Sequence, residues 1–126
     1  MPRTLSAADV VALRAAVQTL AEDTAPLSRN DLASGARTVC GLLALRYPGG
    51  TVELRVPPFA AVQLGIGDRG RHTRGTPPNV VQLDATTLLR LAGGDLTWEE
   101  AVASHAVRAS GIYADLAALW PLPELA

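Results

Sequence analysis

The side chains that could do chemistry concentrate in one segment rich in glycine and arginine. Residues 65–78 hold four glycines, two prolines and the polar set Arg69, Arg71, His72 and Arg74. Guanidinium groups match the oxygens of carboxylates and phosphates, and glycines let backbone N–H groups approach an anion. The segment therefore fits three roles: a gate that receives the anionic headgroup of a ligand, a contact for a protein partner, or a solvated structural loop.

The same segment opens with a formal dinucleotide-binding pattern. Residues 65–70 read G-I-G-D-R-G after a predicted strand, but such a site also needs a helix whose N-terminus points at the pyrophosphate. Residues 71–78 read R-H-T-R-G-T-P-P and cannot open a long helix. We interpret the pattern as part of a glycine-rich loop.

Other reactive side chains do not form a recognisable catalytic or metal site. Cys40 has no base near it in sequence, which a nucleophile would need, and a buried cysteine usually packs as a small hydrophobe. Together with His72 and His105 it lacks the spacing of a structural zinc site. Glu99 and Glu100 lie at a predicted helix start, where capping explains carboxylates. We therefore predict no catalytic residue, no metal and no cofactor.

Composition limits the class of protein. The 126 residues are 48% hydrophobic and 18% charged, with a formal net charge of −1, which predicts one globular domain over residues 1–126. The scattered basic residues do not favour nucleic-acid binding. No apolar run reaches the roughly 18 residues of a membrane span, and the first residues lack a secretory signal. We expect a cytoplasmic monomer or homodimer without stable membrane insertion.

Periodicity and punctuation give the elements that must position these residues. Val10, Leu13, Val17 and Leu20 recur at helical spacing after a Ser6 cap, whereas residues 51–56 alternate strictly as in a half-buried strand. The predicted helices cover about residues 7–22, 29–47, 85–92, 98–104 and 115–119, and the predicted strands cover 51–56, 60–64, 80–83 and 106–109.

Three segments resemble a known family. Residues 52–63 read V-E-L-R-V-P-P-F-A-A-V-Q, residues 72–81 read H-T-R-G-T-P-P-N-V-V, and residues 98–102 read W-E-E-A-V. They resemble the bacterial orthologues of the sterol-carrier-protein family, in particular the actinobacterial subgroup. Asp84, Leu91, Gly94 and Leu96 fit loosely the strand-to-helix pattern of the wider family. The resemblance covers about residues 28 to 120 of this sequence.

The resemblance implies an α+β fold, with a twisted, mostly antiparallel sheet of about five strands and helices packed on one face. Helix 7–22 is then an added element, and an apolar cavity lies between sheet and helices. Candidate headgroup contacts are Arg71, His72 and Arg74. By resemblance, the wall of the cavity would be formed by Val39, Leu43, Leu54, Val56, Phe59, Val62, Leu64, Leu88, Leu91, Trp98, Leu116 and Leu119.

Three functions follow from this interpretation. The first is a small carrier or sensor that buries an apolar ligand such as a fatty acid, an acyl-CoA or an isoprenoid, since each methylene removed from water contributes roughly 0.8 kcal/mol. The second is an interaction module with a closed core that uses loop 65–79 to bind a protein. The third is a small-molecule enzyme, for instance an isomerase with His72 or a carboxylate as base.

Overall fold

A computed structural model describes residues 5–23, 25–66 and 79–125. Four helices and four strands follow one another along these residues, and two short 3₁₀ turns, Ala117–Leu119 and Pro123–Leu125, come last. In chain order the elements are α1 (Ala7–Glu22), α2 (Arg29–Arg46), β1 (Val52–Val56), β2 (Ala60–Leu64), β3 (Asn79–Leu83), α3 (Ala85–Gly93), α4 (Trp98–Ala103) and β4 (Val107–Ser110).

Local capping signals fix where the helices begin. The Ser6 side chain accepts the backbone N–H of Asp9, whose carboxylate accepts the Ser6 N–H in return. Thr97 and Glu100 form the same reciprocal box at α4. These side chains satisfy backbone donors that a helix N-terminus leaves without partners. The helix starts predicted from these residues are confirmed.

The sheet has the order β2-β1-β3-β4. Strand β1 pairs with β2 in antiparallel register and with β3 in parallel register, and β4 is antiparallel to β3. The turn at Pro57 and Pro58 reverses the chain between β1 and β2, as predicted. The described residues contain four strands, whereas the family resemblance implied about five. The sequence patterns alone predicted these four strands.

Helices α1, α2 and α3 pack against one another, and α2 also contacts strand β2. The contact between α1 and α3 is close because Gly93 has no side chain: a Cβ there would lie 2.1 Å from Cγ1 of Val17. On the inner face of β1, the side chains of Val52, Leu54 and Val56 have no exposed surface. The α+β class, with helices on one face of a mostly antiparallel sheet, is therefore confirmed.

The end of the chain differs from the prediction. In place of a helix over about residues 115–119, a 3₁₀ turn covers Ala117–Leu119. The Asp115 carboxylate accepts the N–H of Ala117 and the Leu119 N–H bonds to the carbonyl of Leu116, which closes the shorter turn. Pro121 lies two residues after this turn and prevents it from continuing as a helix.

Buried Asn79 connects three parts of the fold. Its amide nitrogen donates to the Thr51 carbonyl at 3.0 Å, and its amide oxygen accepts the N–H of Tyr113 at 3.0 Å. The side chain thereby satisfies backbone groups on both sides of β3. None of the described helices is long and apolar enough to cross a membrane.

Candidate functional site

A groove with a volume of about 960 Å³ opens between helix α2 and strand β2. One wall is a stripe of α2 whose residues are spaced three and four apart, so that they share a helix face. The other wall is the start of β2 and the turn before it. The residues that line this α2–β2 groove are Leu5, Arg37, Cys40, Gly41, Ala44, Leu45, Phe59, Ala60, Ala61 and Val62.

The groove exists because small residues face an edge strand. Gly41 and Ala44 carry little side-chain volume on the groove side of α2. Opposite them, Ala60 and Val62 of β2 are only half-buried, because the small residues Gly41 and Ala44 leave them uncovered. A pair of larger side chains at these positions would close the space. Among the residues that the structure describes, no side chain fills this helix–strand contact beside the core.

Leu5, which precedes α1 in the sequence, closes part of the α2–β2 groove. Its two methyl carbons lie 3.2 Å from the position that a Cβ on Gly41 would occupy. Leu5 is half-buried and packs against the core. The glycine therefore gives Leu5 room to lie against the helix, and Leu5 becomes a wall of the groove.

The groove is apolar with a positive rim. Arg37 is the only formally charged residue among the described residues that line it, and it forms no hydrogen bond or ion pair within that part of the chain. Arg29, two turns earlier on α2, places its guanidinium carbon 5.2 Å from the ring centroid of Phe59. This cation–π distance holds a second positive charge beside the groove. The charge favours an anionic group at the rim.

Cys40 lies where the groove meets the core. It is 5% exposed, and desolvation by burial raises the pKa of its thiol from the ordinary value of 9.0 to about 12. The thiol therefore stays protonated at neutral pH, and a protonated thiol is a poor nucleophile. Cys40 contributes packing to the groove wall.

The residues expected to line a cavity fall into two groups. Phe59 and Val62 line the α2–β2 groove. The others lie inside the closed core, where two of them, Trp98 at 7% and Leu119 at 6%, keep slight exposure. The side chains without any exposed surface are Val39, Leu43, Leu54, Val56, Leu64, Leu88, Leu91 and Leu116.

The polar residues expected at the site are not among those the structure describes. Arg71, His72 and Arg74, and the G-x-G-x-x-G segment from residue 67 onward, lie outside the described residues. Within the described part of the chain, no group of three or more His, Cys, Asp or Glu residues could hold a metal ion.

Sequence reasoning missed Leu5, Arg37, Gly41, Ala44 and Leu45. One signal was available: these α2 residues form a second stripe, offset from the core stripe of Val39 and Leu43, and Leu45 in it is a large apolar residue with 74% exposure. Single exposed apolar residues are common on protein surfaces, so Leu45 indicates the groove only together with the small residues Gly41 and Ala44 beside it.

The sequence matches one protein-family profile over most of its length. The profile of a protein family described as a bacterial SCP ortholog matches residues 28–122. This region contains α2, all four strands, α3 and α4, and therefore nearly all of the groove; Leu5 and α1 lie outside it. No curated protein matches the sequence.

Proposed function

Because the chain belongs to the family of bacterial SCP orthologs, we propose that it is a small carrier that holds an apolar ligand in the α2–β2 groove. The observation that carries the proposal is the groove itself, an apolar opening of about 960 Å³ beside a core whose central side chains have no exposed surface. Its size lies at the upper end of the range of small-molecule sites, roughly 300–1,000 Å³.

The position of the ligand follows from packing. A core filled to the density of an organic crystal has no room for a guest, and Leu54, Leu88 and Leu91 are fully enclosed. An acyl or isoprenoid chain would instead lie along Phe59, Val62 and Leu45. Each methylene removed from water there contributes roughly 0.8 kcal/mol, so a long chain binds without a charged partner.

The rim of the groove supports an anionic headgroup. Arg37 lies free of described partners at the groove and Arg29 stacks on Phe59, so a carboxylate or phosphate would find a guanidinium next to the apolar wall. Fatty acid and acyl-CoA fit this chemistry better than an uncharged isoprenoid. Contacts from Arg71, His72 and Arg74, in loop 65–79, stay a prediction.

A dansylated undecanoic acid tests the proposal by its fluorescence on binding. We expect saturable binding to the protein and displacement by palmitate. Ala44→Trp places a large side chain in the groove and should weaken binding by at least about tenfold, the equivalent of two buried methylenes or about 1.4 kcal/mol. Ala12→Trp is the matched control, because Ala12 is exposed on α1 away from the groove.

Two results would contradict the carrier proposal. One is the absence of saturable binding in the wild-type protein, together with an organic extract of the purified protein that contains no lipid. The other is equal binding by both Trp variants while their circular dichroism and thermal unfolding match the wild type.

One observation favours a second function, that of an interaction module. Leu45 is 74% exposed and extends the apolar surface of the groove, and a contiguous apolar surface is typical of a protein-docking site. If the dansyl probe does not bind, a stable protein complex that is lost on Leu45→Glu would support this alternative.

A further inference from the structure

The outward face of the sheet carries a row of three polar side chains on adjacent strands. Arg55 of β1 is paired in register with Gln82 of β3, and Gln82 is paired with Arg108 of β4. Their neighbours along each strand, Leu54, Val81 and others, point into the core, so these three side chains point away from it. We call Arg55, Gln82 and Arg108 the outer row.

The spacing of the outer row suits a single small anion. Adjacent strands lie roughly 4.8 Å apart, so the two arginines start about 10 Å from each other with Gln82 between them. Arginine side chains are long enough to meet over the middle residue. Two guanidinium groups and one amide N–H₂ would then converge on the same oxygen atoms.

The donors of the outer row are available. Arg108 and the Gln82 amide form no hydrogen bond with any part of the chain that the structure describes. Arg55 donates to Glu53 at 2.6 Å through Nε alone, which leaves its two terminal nitrogens without a partner among the described residues. The Arg55–Glu53 pair lies at the surface, where such pairs contribute little.

Two pockets meet at the outer row. The first, of about 440 Å³, has Arg55 and Gln82 as its polar residues within the described chain, and its other described lining residues are Pro57, Pro58, Phe59, Ala60 and Ala61. The second, of about 270 Å³, contains Arg108 together with Gln82, Pro57 and His105. Because Gln82 and Pro57 line both, a molecule can place a polar group in the second pocket and an apolar group in the first.

Two carboxylates lie near the outer row, and each has a partner in the described structure. Asp84 also lines the second pocket, but its Oδ1 accepts the backbone N–H of Thr87 at 2.8 Å as the N-cap of α3. Glu53 is paired with Arg55. Arg108 is therefore the charge in this region that has no carboxylate partner within the described chain.

We propose that the outer row is a binding site for a small anion, a phosphate or carboxylate, borne by a molecule whose apolar part rests on Pro57, Pro58 and Phe59. The site lies on the opposite face of the sheet from the helices and does not depend on the carrier function. The anion would receive hydrogen bonds from Arg55, Gln82 and Arg108.

Titration of ¹⁵N-labelled protein with phenyl phosphate, followed by NMR, tests the site. We expect saturable shifts of the Gln82 side-chain amide and of the backbone amides of residues 81–83 and 107–109. Inorganic phosphate should bind the same signals more weakly, because it has no apolar part, and benzoate should bind as the carboxylate counterpart. Benzyl alcohol, which has the ring but no charge, should cause no saturable shift.

Variants decide whether the outer row is responsible. Arg108→Ala and Gln82→Leu should each weaken phenyl phosphate binding about tenfold, the loss expected for one hydrogen bond to a charged group. Arg14→Ala is the matched control, because Arg14 is exposed on α1 and lines neither the outer-row pockets nor the α2–β2 groove. Phe59 is not substituted, since it lines both sites.

The proposal fails if phenyl phosphate causes no saturable shift at the outer row, or if Arg14→Ala weakens binding as much as Arg108→Ala does. Either result would identify these arginines as solvated surface charge. Since the variants change exposed or half-buried side chains, the backbone spectrum of each serves as a check that the fold is unchanged.

Discussion

Strands β1 and β2 carry the same alternation of side chains and yet meet different surroundings. On β1 the inward residues Val52, Leu54 and Val56 have no exposed surface. On β2, only Leu64 is buried among the inward residues, while Ala60 and Val62 stay half-exposed to the groove. The two strands are hydrogen-bonded to each other in register, so the backbone does not account for the difference.

The difference comes from what covers each strand. Strand β1 lies between two other strands, and the core side chains of the helices fill the space over its inner face. Strand β2 faces the small residues Gly41 and Ala44 of α2. An alternating pattern thus predicts which face of a strand is inward, but the size of the residues on the opposing helix decides whether that face becomes core or groove.

The largest effect that separates the two regions is expected in stability. Leu54→Ala removes a fully buried side chain from β1 and should lower the free energy of unfolding by about 2–5 kcal/mol, because it leaves a cavity. Val62→Ala, at the directly paired position of β2, should cost about 1 kcal/mol or less, since solvent already reaches the site. Urea denaturation of both variants measures the two values.

Equal losses for the two variants would contradict the comparison. They would mean that the α2–β2 groove is closed in solution and that Val62 is part of the core. The wild-type m-value serves as the control, because an unchanged m-value indicates that only stability has changed.

Most of the fold could be predicted from local sequence signals. The side chains of Ser6, Ser28 and Thr97 cap the starts of α1, α2 and α4, and a cap can be recognised from sequence because it acts within one turn of its own chain. Pro57 and Pro58 indicate the reversal between β1 and β2 for the same reason. The parallel pairing of β1 with β3 could not be derived in this way. It joins two segments that are more than 20 residues apart in sequence, and no residue between them indicates that the two strands pair.

The site was less predictable than the fold for a related reason. The family resemblance implied that Leu54, Leu88 and Leu91 line a cavity, but a buried wall residue and a buried core residue have the same sequence pattern. The groove could be predicted only if Gly41 were known to lie opposite β2 and beside Leu5. These contacts join residues that are distant in sequence. Only the exposed Leu45 gave a local indication.

A smaller effect concerns Cys40, on the boundary between core and groove. Burial raises its thiol pKa from 9.0 to about 12, so between these values the unfolded chain loses a proton that the folded protein keeps. The unfolded state then binds fewer protons, and stability must fall as the pH rises through this window, by at most about 1.4 kcal/mol per pH unit. Below pH 9 this contribution is constant.

The measurement is a difference between two proteins. The free energy of unfolding of wild type and of Cys40→Ala is compared at pH 8, 9 and 10, so that tyrosine ionisation, common to both, cancels. The wild type should lose more stability than the variant between pH 9 and 10. Parallel curves would indicate that water reaches the thiol from the groove, and that Cys40 belongs to the open region.

The smallest effect is expected at Leu5, which sets how far the α2–β2 groove extends. Its methyl groups lie against Gly41, so Leu5→Ala should lengthen the groove and shift the preferred fatty acid to a chain longer by one or two methylenes, with a change in affinity of about three- to tenfold for that chain. Displacement of the dansyl probe by saturated acids from decanoate to stearate measures how the affinity depends on chain length.

Val11→Ala is the control, because Val11 is 61% exposed on α1. The acids could instead bind both variants with the same chain-length dependence as the wild type. Leu5 would then not contact the ligand, which would lie nearer β2, and the open region would end at Phe59 and Val62.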